Sequence, residues 1–174
     1  MLDEATVRRW LPNSTHLSSG DGPSLLELSV SKGGPVLLGP SICYEDVSAT
    51  HARSLAMLGA DLLINISNDS WFGDHGAARW HLIAAALRSV ETGLPQVRAT
   101  NSGYSAFILP TGELHELTRF DESAERSFEL PLVSARPTLT VRFGDWFGPL
   151  ALLFAIVWLA AHWLSVFRAL SSEP

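Results

Sequence analysis

Residues 147–167 form a run of 21 positions with no Asp, Glu, Lys or Arg. As a helix rising about 1.5 Å per residue, the run reaches roughly 30 Å, the thickness of a bilayer's hydrocarbon layer. A helix that is apolar on every side belongs either in lipid or inside a large protein, and this chain has only 174 residues. Trp146 and Trp163 lie near the two ends, where amphipathic rings favour the headgroup region. Asp145 is placed to cap the helix, and Pro149 is tolerated in a first turn. His162 interrupts the run, and Arg168 follows it as a cytoplasmic-side candidate. A transmembrane helix is therefore expected over 146–168, with a short tail at 169–174 and one globular domain before it.

Composition narrows what that domain does. Net charge is -6 and Lys32 is the only lysine, so no basic stripe for nucleic acid exists. The histidines, His16, His51, His75, His81, His115 and His162, are scattered. None pairs with another at metal-ligand spacing, and one cysteine cannot build a thiolate site, so neither a metal nor another cofactor is expected. Each histidine reads as surface or hydrogen-bonded filler. The N-terminus lacks the basic start and apolar stretch of a signal peptide.

Residues 1–24 are polar and, after Trp10, rich in Gly, Ser and Pro, as in a surface segment or linker. Residues 25–145 hold the domain. Alternation over 25–30 predicts a half-buried strand, Lys32-Gly33-Gly34 a turn, and 36–42 a strand deep in a sheet. A helix is expected over about 47–58, ended by Gly59, then a strand over 61–67 and a loop over 68–74. A helix over 76–92, ended by Gly93, carries Trp80, Ile83, Ala84, Leu87 and Val90 on one face. Strands are expected over 96–100 and 104–109, separated by the turn Asn101-Ser102-Gly103. A hairpin turn over 110–113 leads into 114–117, and strands or extended segments follow over 128–133 and 139–143. This order predicts an α/β layered domain.

Cys43 is the only cysteine, and it stands where the strand over 36–42 turns into a helix. Such a bend presents a side chain at the carboxyl edge of a sheet, where free backbone N–H groups can stabilise a thiolate or an oxyanion. Without a partner it serves either packing or chemistry.

Four motifs extend the pattern: Ile42-Cys43-Tyr44-Glu45, then 65–73 (Asn-Ile-Ser-Asn-Asp-Ser-Trp-Phe-Gly), then 98–103 (Arg-Ala-Thr-Asn-Ser-Gly), then Arg142-Phe143-Gly144-Asp145 before the apolar run. Together they closely resemble the apolipoprotein N-acyltransferase family, the membrane branch of the carbon–nitrogen hydrolase (nitrilase) superfamily. The resemblance covers roughly residues 36–167. It implies the C-terminal half of a nitrilase-like αββα sandwich over 25–145, followed by one transmembrane helix. It implies Cys43 as a nucleophile that takes a fatty acyl chain from a phospholipid as a thioester. The acyl group then passes to the N-terminal amine of a diacylglyceryl-cysteine lipoprotein. The backbone N–H of Tyr44 becomes an oxyanion donor, and Glu45 supports the family's lysine or the incoming amine. Trp71 and Phe72 line the acyl entrance. The implied location is the bacterial cytoplasmic membrane with the domain on the periplasmic side.

Ordinary roles stand beside these. Glu45 suits a helix start, where a carboxylate opposes the dipole, and Trp71 suits packing. Asn68 and Asp69 suit loop stabilisation, and Asp145 a simple cap. The family's triad Glu and Lys have no counterpart in matching surroundings; Lys32, Glu4 and Glu27 do not fit them. The chain then reads as the C-terminal half of such an enzyme, whether a fragment, a truncation or a split gene product with a companion chain bearing the missing half; alone it is expected to be inactive, with strand edges and apolar faces left open. The alternatives are a nitrilase-type amidase acting on a small amide and a non-catalytic membrane-anchored remnant.

Overall fold

The computed structural model describes residues 20–31, 34–73, 76–132 and 137–171, with only the backbone described over 165–171. Residues 1–19 of the expected surface segment, Lys32 and Gly33 of the expected turn, and the tail residues 172–174 lie outside the described residues, as does Val133.

Six strands form one sheet in chain order: β1 (Leu26–Leu28), β2 (Val36–Ile42), β3 (Leu62–Asn68), β4 (Gln96–Asn101), β5 (Ala106–Ile108) and β6 (Leu114–His115). The central pairs β2–β3 and β3–β4 are parallel, and the outer pairs are antiparallel. Parallel neighbours need crossovers, which α1 (Ala49–Met57) and α2 (Ala77–Thr92) supply. The carboxyl ends of β2, β3 and β4 therefore share one edge, where Cys43, Asp69 and Asn101 emerge.

Both helices cover one face of the sheet. Leu55, Ala60, Leu63 and Leu94 form one buried cluster; Leu82, Ala85, Ala106 and Ile108 form another. Each buried Leu or Ile contributes about 1.5–3 kcal/mol. Close approach is achieved with small residues: a Cβ on Gly39 would stand 3.1 Å from Leu55 Cβ and 3.2 Å from Ala60 Cβ. The opposite sheet face leaves Leu26, Leu28, Ile42 and Ile66 exposed, in line with an α layer and a β layer that make half of an αββα sandwich.

The structure corrects or sharpens several expectations. Cys43–Val47 forms a 3-10 turn, so α1 begins only at Ala49, where the Ser48 side chain accepts the His51 N–H at 3.2 Å. On α2, Trp80, Ile83, Leu87 and Val90 face outward, and the buried face is Ala78, His81, Leu82, Ala85, Arg88, Ser89 and Thr92. Small and hydrogen-bonded residues seat that helix against the sheet, so the most apolar stripe is not the buried one. Leu139–Phe143, expected to be extended, is the short helix α3, capped by Thr138, whose hydroxyl oxygen accepts the Val141 N–H. Residues 128–132 form no strand, although Phe128 stacks on His115 with ring centroids 4.5 Å apart.

The last helix, α4 (Phe147–Ser171), follows directly, and the Asp145 carboxylate accepts the Gly148 N–H at 3.5 Å as its expected cap. None of the window Phe147–Leu164 is buried, and its mean hydropathy is 1.9. This is one helix long and apolar enough to cross a membrane. The His162 ring stacks on Trp158, its centroid 5.9 Å away. Arg53 of α1 ties α3 to the domain by donating its Nε–H to the Thr140 and Val141 carbonyls at 3.2 and 3.0 Å.

Candidate active site

Cys43 follows the extended residue Ile42 and adopts a φ of 52°. A residue with a side chain enters that left-handed region at a cost of about 1–3 kcal/mol, so surrounding contacts must hold it there. They are specific. The Asn65 amide donates to the Cys43 carbonyl at 3.0 Å and to Ser41 Oγ at 3.2 Å. Glu45 Oε2 accepts the Ile42 N–H at 2.8 Å, closing the turn on itself. Arg88 donates to the Val47 carbonyl at the far end of the turn. The sulfur-bearing residue is half-buried, while Tyr44 and Glu45 are exposed.

β3 ends beside this turn. Asn68 Oδ1 accepts the Ser70 N–H at 3.1 Å, the loop role expected of it. The 3-10 turn Ser70–Phe72 then presents Trp71, 79% exposed, and Phe72, half-buried. The residues singled out from the sequence thus share one edge: Cys43, Tyr44 and Glu45 on one turn, Trp71 and Phe72 on the neighbouring one.

Between and beneath these turns lies a buried ionic cluster that the sequence reading missed. His81 Nε2 donates to Asp46 Oδ1 at 2.7 Å, and His81 Nδ1 lies 3.0 Å from Asp69 Oδ1. Arg98 donates from Nη1 to Asp46 Oδ2 and, at 2.9 Å, to Asn65 Oδ1; from Nη2 it reaches Asp69 Oδ2 at 3.1 Å. Ser67 Oγ donates to Asp69 Oδ1 at 2.7 Å. Asp46, Asp69, His81 and Arg98 are all buried. Asp69 had been expected to stabilise a loop; it is instead fully enclosed, because two cations converge on it.

Two carboxylates facing two cations leave no net charge in a dry interior, where an uncompensated ion costs several kcal/mol. Burial pushes the imidazole pKa down, but the hydrogen bonds to Asp46 and Asp69 outweigh it and raise it from 6.5 to about 9. The Arg98 guanidinium, whose Nη2 is 3.0 Å from His81 Nδ1, opposes that rise. Burial pushes the Asp69 carboxyl up, but its bonds to His81 and Ser67 and the nearby Arg98 charge prevail, so its pKa is lowered. With both ring nitrogens engaged, His81 is a structural cation and not a free base.

The imidazole also carries the two turns' aromatic rings. Tyr44 lies 5.6 Å from it, tilted by 43°, and Phe72 meets it edge-on at 5.8 Å. Asp69 is clamped from outside as well, since its N–H donates to the Asn101 carbonyl at 3.1 Å. Gly103 packs so closely that a Cβ there would stand 2.7 Å from Asp69 Oδ2. Asn101-Ser102-Gly103 is indeed a turn, with Ser102 at a φ of 58°. A separate cavity of about 600 Å³, lined by Thr50, Arg53, Glu91, Asp145 and Trp146 among others, lies where α4 leaves the domain and does not include Cys43.

The one available signal for the missed residues was phase. His81 is in register with Ala78, Ala85 and Arg88 on α2, and Asn65 shares the buried face of β3 with Leu63 and Ser67.

Comparison with known proteins shows what the chain is similar to. The family model described as carbon–nitrogen hydrolase matches residues 7–126. An apolipoprotein N-acyltransferase of Bdellovibrio bacteriovorus is 33% identical over 150 residues, covering 84% of this chain and 27% of that protein. One of Gloeobacter violaceus is 36% identical over 155 residues, covering 89% of this chain and 28% of the relative. One of Sinorhizobium medicae reaches 48% identity over 75 residues, 43% of this chain and 14% of the relative. The chain spans about a quarter of the length of the first two of these curated relatives.

Proposed function

This chain belongs to the carbon–nitrogen hydrolase family, and on that premise we propose that it is the thiol-bearing portion of an apolipoprotein N-acyltransferase. The observation that carries the reading is Cys43, half-buried and held in a left-handed bend at the carboxyl edge of β2, beside an exposed Trp71 and above a charge-balanced cluster. The names of the relatives and the exposed apolar helix α4 support it. In this reading the protein sits in a bacterial cytoplasmic membrane, with the domain on the periplasmic side and α4 as anchor.

The chemistry runs in two balanced steps. The Cys43 thiol gives up its proton, and Sγ attacks the carbonyl carbon of a phospholipid ester. A C–S bond forms, charge gathers on the carbonyl oxygen, and the ester C–O bond then breaks. The departing lysophospholipid oxygen takes the proton. The α-amine of a diacylglyceryl-cysteine next attacks the thioester carbon. A C–N bond forms, the C–S bond breaks, and the amine's proton returns to sulfur. A thiolate needs less activation than a hydroxyl for the first attack. The backbone N–H of Tyr44, in the first turn of a helix start without an intrahelical acceptor, is the oxyanion donor. Glu45 keeps the bend closed through Ile42, and Trp71 with Phe72 guides the acyl chain.

The base is a lysine oriented by a glutamate, supplied by a companion segment. His81 cannot serve, because Asp46 and Asp69 occupy it. The test uses a phospholipid with a labelled acyl chain. The protein with its companion segment is expected to acquire a hydroxylamine-labile label on Cys43. The Cys43→Ala variant and the chain alone are expected to acquire none. Label retained in Cys43→Ala would refute the assignment.

A further inference from the structure

The two turns that frame the site are joined from below by one side chain. Asp46 belongs to the turn that carries Cys43, and Asp69 immediately precedes the turn that carries Trp71 and Phe72. His81 reaches both carboxylates from α2, at 2.7 and 3.0 Å, and its ring is flanked by Tyr44 and Phe72. Building on the acyltransferase reading, we propose that His81 is a positioning residue that fixes the spacing between the Cys43 turn and the Trp71–Phe72 turn, matching the thiol to a long acyl chain.

The argument is geometric. Neither turn is bonded directly to the other among the described hydrogen bonds; each is bonded to the cluster. Arg98 bridges the same two carboxylates, so Asp46, His81, Asp69 and Arg98 close a four-membered ring of alternating charge. Charge-assisted bonds in a dry interior are short and directional. An aliphatic chain has no polar handle, so its placement depends on how far the Phe72 and Trp71 rings stand from the sulfur. A displacement of about 1 Å can change a rate on the order of a hundredfold. A glutamine at 81 keeps roughly the size and polarity, yet both its N–H donors sit on one nitrogen, so it cannot span the two carboxylates as the two ring nitrogens do.

The experiment uses the full chain in detergent micelles and alkylates Cys43 with N-ethylmaleimide and with N-hexadecylmaleimide. The ratio of the two rates, divided by the same ratio for a simple alkanethiol in the same micelles, measures chain-length preference with partition into micelles removed. Wild type is expected to prefer the long reagent. His81→Gln is expected to lower that ratio at least about tenfold while leaving the N-ethylmaleimide rate within about threefold. A ratio unchanged in folded His81→Gln overturns the positioning role alone. A wild-type protein without preference overturns the acyl-entrance reading as well. Should the variant aggregate, nitrogen NMR of the wild-type imidazole decides. Two protonated ring nitrogens, each hydrogen-bonded to a carboxylate, support the bridge, and a single protonated nitrogen overturns it.

Discussion

Raising the pH from 6.5 to above 9 should strip the fold of a definable amount of stability through His81. Its pKa is 6.5 when exposed and about 9 in the folded chain. A group whose folded pKa is raised contributes fully below its unfolded value and loses that contribution as pH climbs through the folded one. At about 1.4 kcal/mol per tenfold in proton affinity, the gap amounts to about 3 kcal/mol. In a chain of this size that is a fall in Tm of roughly 6–12 °C. The loss has a plain cause: a neutral imidazole donates one hydrogen, so either Asp46 or Asp69 is left facing a lone pair. The assay is thermal unfolding in detergent, followed by tryptophan fluorescence at intervals from pH 6 to 10. Wild type is compared with His81→Gln, which has no proton to lose in this range. Other groups titrate in both proteins, so only the difference between the two curves counts. It should be constant up to about pH 6.5 and shrink by about 3 kcal/mol by the top of the range. Parallel curves would show that the imidazole is already neutral, taking a hydrogen from Arg98 at Nδ1, and would refute the charge-balanced cluster.

Two further outcomes are expected from the same edge of the sheet. Gly103→Ala places a methyl group 2.7 Å from Asp69 Oδ2; overpacking of this kind costs about 1–3 kcal/mol. Its signature in a denaturant titration is a lower midpoint at unchanged slope, and an unchanged midpoint counts against the packing described. Trp71→Ala removes a side chain that is 79% exposed, so stability should stay within about 0.5 kcal/mol. Acylation of Cys43 in the assembled enzyme should nonetheless fall, and equal acylation rates for variant and wild type would remove Trp71 from the acyl entrance.

Much of the architecture is written locally. β2 was legible from its run of uncharged, largely apolar residues, α1 and α2 from their terminal Gly59 and Gly93, and α4 from 21 residues free of charge. Cys43 could be placed at a bend because strand and helix periodicities meet there. The inner face of α2 could not be read in this way. Its exposed side is the more apolar one, and what buries the other side is the fit of Leu82 and Ala85 against Ala106 and Ile108 of β5 and the bonds of His81 to Asp46 and Asp69.

The sequence alone determined most of the strands and both crossover helices, that a bare thiol closes β2, and that the last helix is long and apolar enough to cross a membrane. Each of these depends on neighbours within a few positions. Tertiary structure alone decided that Asp46, Asn65, Asp69, His81 and Arg98 meet beneath that thiol, through bonds between residues 12 to 52 positions apart. Ion pairs of this kind leave no periodic trace, because their energy comes from exclusion of water, and water is excluded only once the layers have closed.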